Sequence, residues 1–157
     1  MADFKWANLQ TEGVTDLGRA LAMVAEQLRI PPMTDRALPP VLVLVSDGCP
    51  TDDFNQGLQA LLDEPWGQKA VRIAIAIGED ADTTVLQKFI GHPELRPLQA
   101  NNPETLVRHI KWVSTAVLKS ASSPASQVAG APASGLNVPI PVPPVALAKP
   151  GSAGDVW

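Results

Sequence analysis

Pro39-Pro40-Val41-Leu42-Val43-Leu44-Val45-Ser46-Asp47-Gly48-Cys49-Pro50-Thr51-Asp52-Asp53 is the stretch on which the reading of this 157-residue chain turns. Five aliphatic residues follow one another without a polar interruption, three of them β-branched. Continuous rather than alternating apolar character is expected of a strand covered on both faces, as in a parallel sheet. Ser46-Asp47-Gly48 ends the run with turn chemistry.

On the N-terminal side, Leu17, Leu21, Val24 and Leu28 recur at i, i+4, i+7 and i+11, the spacing of one helix face. Thr15 or Asp16 is placed to cap that helix, and Pro31-Pro32 to end it. On the C-terminal side the cycle repeats. Thr51 or Asp52 can cap a short helix with Phe54, Leu58, Leu61 and Leu62 on one face. Val71 to Gly78 reads as a second strand with its isoleucines on one side. Asp82 can cap a helix carrying Val85, Leu86, Phe89 and Ile90. Leu95 to Leu98 is at most a short edge strand, because Pro97 has no N–H for a ladder. Asn102-Pro103 opens a helix with Pro at its first position and Leu106, Ile110, Val113 and Val117 on one face, running out near Lys119. Alternating helix and strand of this kind predicts the α/β class: an open parallel sheet joined by right-handed crossovers, with about three strands and four helices.

Composition sets the limits. Residues 121–157 hold 7 of the 16 prolines and only two charges, Lys149 and Asp155. Such an Ala/Ser/Pro-rich stretch buries too little apolar surface to offset its ordering entropy, so a folded part over 1–120 and a disordered tail over 121–157 are expected. Twelve basic against 16 acidic residues, net −4, leave no electrostatic footprint for a nucleic-acid backbone. The longest aliphatic run falls far short of the roughly 20 residues of a membrane span. No basic region followed by an apolar stretch opens the sequence, and the single cysteine, Cys49, cannot form an internal disulfide or a paired-cysteine zinc site. A reducing, cytoplasmic home and a protein that engages neither membrane nor nucleic acid are the expectation.

In doubly wound sheets ligands bind beyond the carboxyl ends of the strands. The run Ser46 to Asp53 is the end richest in chemistry. A carboxylate directly after a buried strand suits a hard divalent cation or a nucleophilic role. It equally suits a residue that only caps its own turn. Thr15, at the mouth of the first helix, could set a hydroxyl and free N–H groups beside Asp47, or be a plain N-cap. Spacing alone leaves both pairs of readings open. No Gly-x-x-x-x-Gly-Lys-[Ser/Thr] or Gly-x-Ser-x-Gly motif is present.

Taken together, Gly13-Val14-Thr15-Asp16-Leu17-Gly18-Arg19-Ala20-Leu21, the run from Pro39 to Phe54, and Arg72-Ile73-Ala74-Ile75-Ala76-Ile77-Gly78 resemble a von Willebrand factor A (VWA) domain, and within that family the bacterial TerY-like, tellurite-resistance-associated members. The likeness covers about residues 3–119. It implies a Rossmann-like three-layer fold, here only its C-terminal half, and a metal-ion-dependent adhesion site for Mg²⁺ or Mn²⁺. Thr15 matches the family's second metal-binding motif and Asp47 its third. The first, Asp-x-Ser-x-Ser, does not occur, so the resemblance implies weak or absent metal binding. By the same resemblance the sequence begins where the second half of such a domain would begin. The implied function is a non-enzymatic, metal-assisted protein-interaction module in a stress-resistance or phospho-signalling system. Its partner would supply a carboxylate, with a kinase or phosphatase as a candidate. A Mg²⁺-dependent phosphohydrolase or phosphotransferase using Asp47, or a non-functional fragment, are the alternatives.

The remaining candidates have plainer readings. Cys49 has no basic neighbour in sequence to activate it. His92 and His109 share no ligand spacing and are assigned to a loop and a solvated helix face. Trp6, Trp66 and Trp112 are assigned to the core or its edge. Val138 to Val145 favours polyproline II, as a semi-rigid extension or as a ligand for an aromatic groove. Trp157, beside the terminal carboxylate, can dock into a pocket.

Overall fold

The computed structural model describes residues 14–122 and 140–144. Trp6, Trp157 and most of the tail lie outside them. Three strands, β1 (Val41–Ser46), β2 (Val71–Ile77) and β3 (Leu98–Ala100), form a parallel sheet in the order β1-β2-β3. Val41 pairs with Val71, Val45 with Ile75, and Ile75 in turn with Leu98. The helices are α1 (Leu17–Gln27), α2 (Phe54–Asp63), a short α3 (Pro65–Lys69), α4 (Thr83–Ile90) and α5 (Pro103–Trp112). A π-turn over Val113–Val117 carries α5 into α6 (Leu118–Ala121). The α/β class, the parallel sheet and the strand count follow the sequence expectation; the third strand lies at Leu98–Ala100, past Pro97, instead of Leu95 to Leu98, and the short α3 and α6 add to the four helices expected. None of the described helices is long and apolar enough to cross a membrane.

Each strand sends alternate residues to opposite faces. Leu42, Leu44, Ala74 and Ala76 face the larger core, built with Leu21, Ala25 and Leu28 of the first helical segment, Phe54 and Leu61 of α2, and Leu86 and Phe89 of α4. The alanines of β2 leave room for the bulky leucines and phenylalanines above them. Val71 and Ile73 face the other way, onto Val113, Val117 and Trp112. Arg72 spans the sheet–helix boundary: its Nε donates to the Phe89 carbonyl at 2.8 Å and its Nη1 to the Gly67 carbonyl at 3.0 Å, while burial lowers its pKa from the ordinary value.

The two helices flanking β1 in sequence cross at their glycines. A Cβ on Gly57 would overlap the backbone of Gly18, and one on Gly18 would overlap the Asp53 carbonyl. Only hydrogens fit at this crossing, so α1 and α2 lie backbone against backbone.

Three expectations need correction. β1 is not covered on both faces. Among the described residues it is an edge strand whose Val43 and Val45 are each 40% exposed, while Val41 alone on that side packs on the smaller core. His109 is not solvated: it is 3% exposed, and its Nε2 is 3.0 Å from the Gln99 carbonyl. The buried stripe of the last helix runs Thr105, His109, Val113, Val117, and Ile110 is 45% exposed. Both stripes have helical spacing, and the strand-end carbonyl of Gln99 selects the one that brings an imidazole to it.

Candidate functional site

The carboxyl end of β1 is shaped by its own turn. The Ser46 hydroxyl accepts from the Gly48 N–H at 3.0 Å and donates to Asp47 Oδ1 at 3.3 Å. Gly48 has φ +75°, and a Cβ there would strike the Asp82 carbonyl, so glycine is required on both counts. Asp47 is exposed, and its Oδ1 also accepts from the Cys49 N–H at 3.1 Å. Its carbonyl accepts from the Asp82 N–H at 2.7 Å, which ties the loop after β1 to the loop after β2. Asp82 caps α4 as its position foretells, accepting from Thr84 at 2.9 Å. The turn-capping reading of Asp47 is therefore realised, on an accessible carboxylate.

Thr15 is brought to the same loop, through its backbone. The Thr51 N–H donates to the Thr15 carbonyl at 2.9 Å, and the Thr51 hydroxyl lies 3.5 Å from Asp16 Oδ1. Neither Thr15 nor Asp16 caps α1 with its side chain. Asp52 does so from 34 positions away: Oδ1 accepts from the Gly18 N–H at 2.8 Å and Oδ2 from the Arg19 N–H at 2.7 Å. Those are the helix-mouth donors that the sequence leaves free for a ligand, and they are already occupied. The bond from Gly18 holds the Asp52 carboxyl below its ordinary range against a smaller opposing effect of burial, with the Arg19 bond adding to it. The neighbouring helix is capped by Asp53, which accepts from the Gln56 N–H at 2.9 Å, and not by Thr51 or Asp52. Sequence reasoning missed the long-range role of Asp52, since nothing local distinguishes it from Asp53.

Mg²⁺ takes six oxygens in near-octahedral array and dehydrates reluctantly. Thr15 and Asp47 offer two side-chain oxygens, and no group of three His, Cys, Asp or Glu among the described residues is placed to hold a metal. Thr15 and Asp47 by themselves do not make up that octahedral set.

Two grooves lie on other residues. One of about 720 Å³ runs along Thr83, Gln87 and Lys88 of α4 toward His92 and Arg96. A second, of about 210 Å³, is bounded by Arg72, Trp112 and the Ile140–Pro144 segment. Cys49 is exposed on the β1 loop, and Trp66 is buried, its Nε1 donating to the Thr34 carbonyl at 3.1 Å.

No protein-family model matches the chain. No curated protein and no solved structure matches it either. The fold thus stands as a small parallel α/β arrangement of generic Rossmann-like kind.

Proposed function

We propose that the chain is a non-enzymatic protein-interaction module of the VWA kind, whose contact surface is the loop cluster at the carboxyl ends of β1 and β2. The observation that carries the reading is the fastening of Thr15 to Thr51 and of Asp47 to Asp82, which gathers the two motifs quoted for the resemblance onto one end of the sheet. Asp47 presents its carboxylate to solvent there, on the same joined loops that carry Asp16, Asp52, Asp53 and Asp82. So many carboxylates repel a carboxylate-bearing partner unless a divalent cation lies between them. Because no group of three His, Cys, Asp or Glu ligands is gathered among the described residues, the proposal assigns Mg²⁺ or Mn²⁺ no resident place there; the ion would be held with oxygens that the partner contributes. A kinase or phosphatase partner and a role in tellurite or stress resistance rest on the resemblance alone.

The phosphohydrolase alternative gains no observation of its own: Asp47 Oδ1 is engaged by its turn, and neither Thr15 nor Asp47 lines either groove. Calorimetric titration with Mg²⁺, with and without a short aspartate-containing peptide, separates the readings. The expected result is weak ion binding that strengthens when the peptide is present and falls in Asp47→Asn, with no turnover of para-nitrophenyl phosphate. Metal-dependent turnover lost in Asp47→Asn would replace the module with an enzyme.

A further inference from the structure

Ile140-Pro141-Val142-Pro143-Pro144 returns to the domain after 17 intervening residues beyond Ser122, and it does so at a particular place. Ile140 packs on the smaller core with Val41, Leu98 and Trp112 around it. Ile140 and Pro143 both line the 210 Å³ groove with Arg72, Ile73, Leu98 and Trp112, whereas Val142 is 85% exposed. A polyproline II helix has three residues per turn, so residues i and i+3 share a face and the residue between them points away. Ile140 and Pro143 inward with Val142 outward is that pattern.

Trp112 lines the same groove. Its Nε1–H is buried and has no hydrogen-bond partner among the described residues. An indole N–H is a donor only. Proline-rich segments bring carbonyl acceptors and few N–H donors of their own, and aromatic grooves recognise them through ring faces and such donors. An apolar groove and an uncharged proline-rich strand already packed along it define one chemistry, although that strand as it sits does not meet the indole N–H.

We propose that the Trp112 groove is a binding site for an extended, uncharged proline-rich peptide, one wall of which the chain's own Ile140–Pro144 supplies in cis and the same sequence on another polypeptide would supply in trans. The tether sets the competition. Being joined to the domain by 17 residues of the same chain gives the segment an effective local concentration on the order of millimolar. A peptide in trans must compete with that, so the site is largely self-occupied until the tail is released.

The test uses the full-length chain and a synthetic peptide of residues 137–146, followed by calorimetry and, where Trp112 is present, by its indole N–H resonance. In the double variant Ile140→Asp/Pro143→Asp the peptide is expected to bind roughly tenfold or more tightly than to the wild type. Adding Trp112→Ala to that variant is expected to abolish binding while circular dichroism shows the fold retained. Absence of binding to the released variant, or equal affinity for both proteins, would overturn the proposal. Should the released variant not fold, a spin label on Val142→Cys in a Cys49→Ser background reports on the otherwise intact chain. Strong broadening of the Trp112 indole within each molecule supports the cis contact. No broadening, or broadening only between molecules in a mixture of spin-labelled and isotope-labelled chains, overturns it.

Discussion

Asp52 joins two helices and a strand end through one carboxylate, and its titration gives a direct handle on that arrangement. Each oxygen accepts one N–H from the first turn of α1, where the helix dipole also favours negative charge. Its folded pKa lies below the unfolded value of about 3.9, so its stabilisation is complete above that pH and is lost as pH falls through the folded value. Urea melts across pH 7 to 3 are expected to give Asp52→Asn a lower midpoint at neutral pH, with wild type and variant converging below about pH 4. Parallel curves throughout would mean the carboxylate does not cap α1. Gly57 makes a sharper case. Its Cβ would enter the Gly18 backbone, so Gly57→Ala is expected to cost about 1–3 kcal/mol in a denaturant melt, although alanine is the better helix former. Asp47 was visible in the sequence as a turn residue, and Asp52 as a possible cap of the following helix. Their partners were not, because contacts between residues so far apart in the chain leave no local periodicity to read.

The elements themselves were legible where period and punctuation agree. α1, α2, α4 and β2 follow their apolar spacing, and Asp82 and Asn102 mark helix starts as their chemistry requires. β1 departs from its reading because a continuous apolar run states what a strand can bury and not what covers it. Leu42 and Leu44 meet the larger core while Val43 and Val45 face solvent. Two substitutions separate the faces. Leu61→Ala, at a fully buried site above β1, is expected to cost about 2–5 kcal/mol; Val43→Thr is expected to change stability by no more than about 0.5 kcal/mol. An uncharged edge strand with exposed valines also templates strand pairing. Concentration-dependent light scattering is therefore expected to fall in Val45→Lys while the melting midpoint is retained. The last helix misled for a different reason: two stripes of equal helical merit compete, and His109 is drawn inward by a single carbonyl.

At the scale of the whole molecule, three parallel strands set every strand-end loop at one end, and the hydrogen bonds Thr51–Thr15 and Asp82–Asp47 lock two of those loops and the start of α1 into one surface. That surface is where the proposed partner contact lies, and it is separate in its residues from the Trp112 groove. The sequence placed Thr15 and Asp47 near one another in fold terms, yet the count of ligating oxygens around them emerges only from the assembled loops. Paramagnetic broadening by Mn²⁺, followed amide by amide on the isotope-labelled full-length chain, tests the account most directly. The account predicts weak binding, with Asp47 to Asp53 and Val14 to Leu17 broadened first and the effect sharply reduced in Asp47→Asn. Broadening centred on other acidic residues, or the same pattern undiminished in Asp47→Asn, would contradict it.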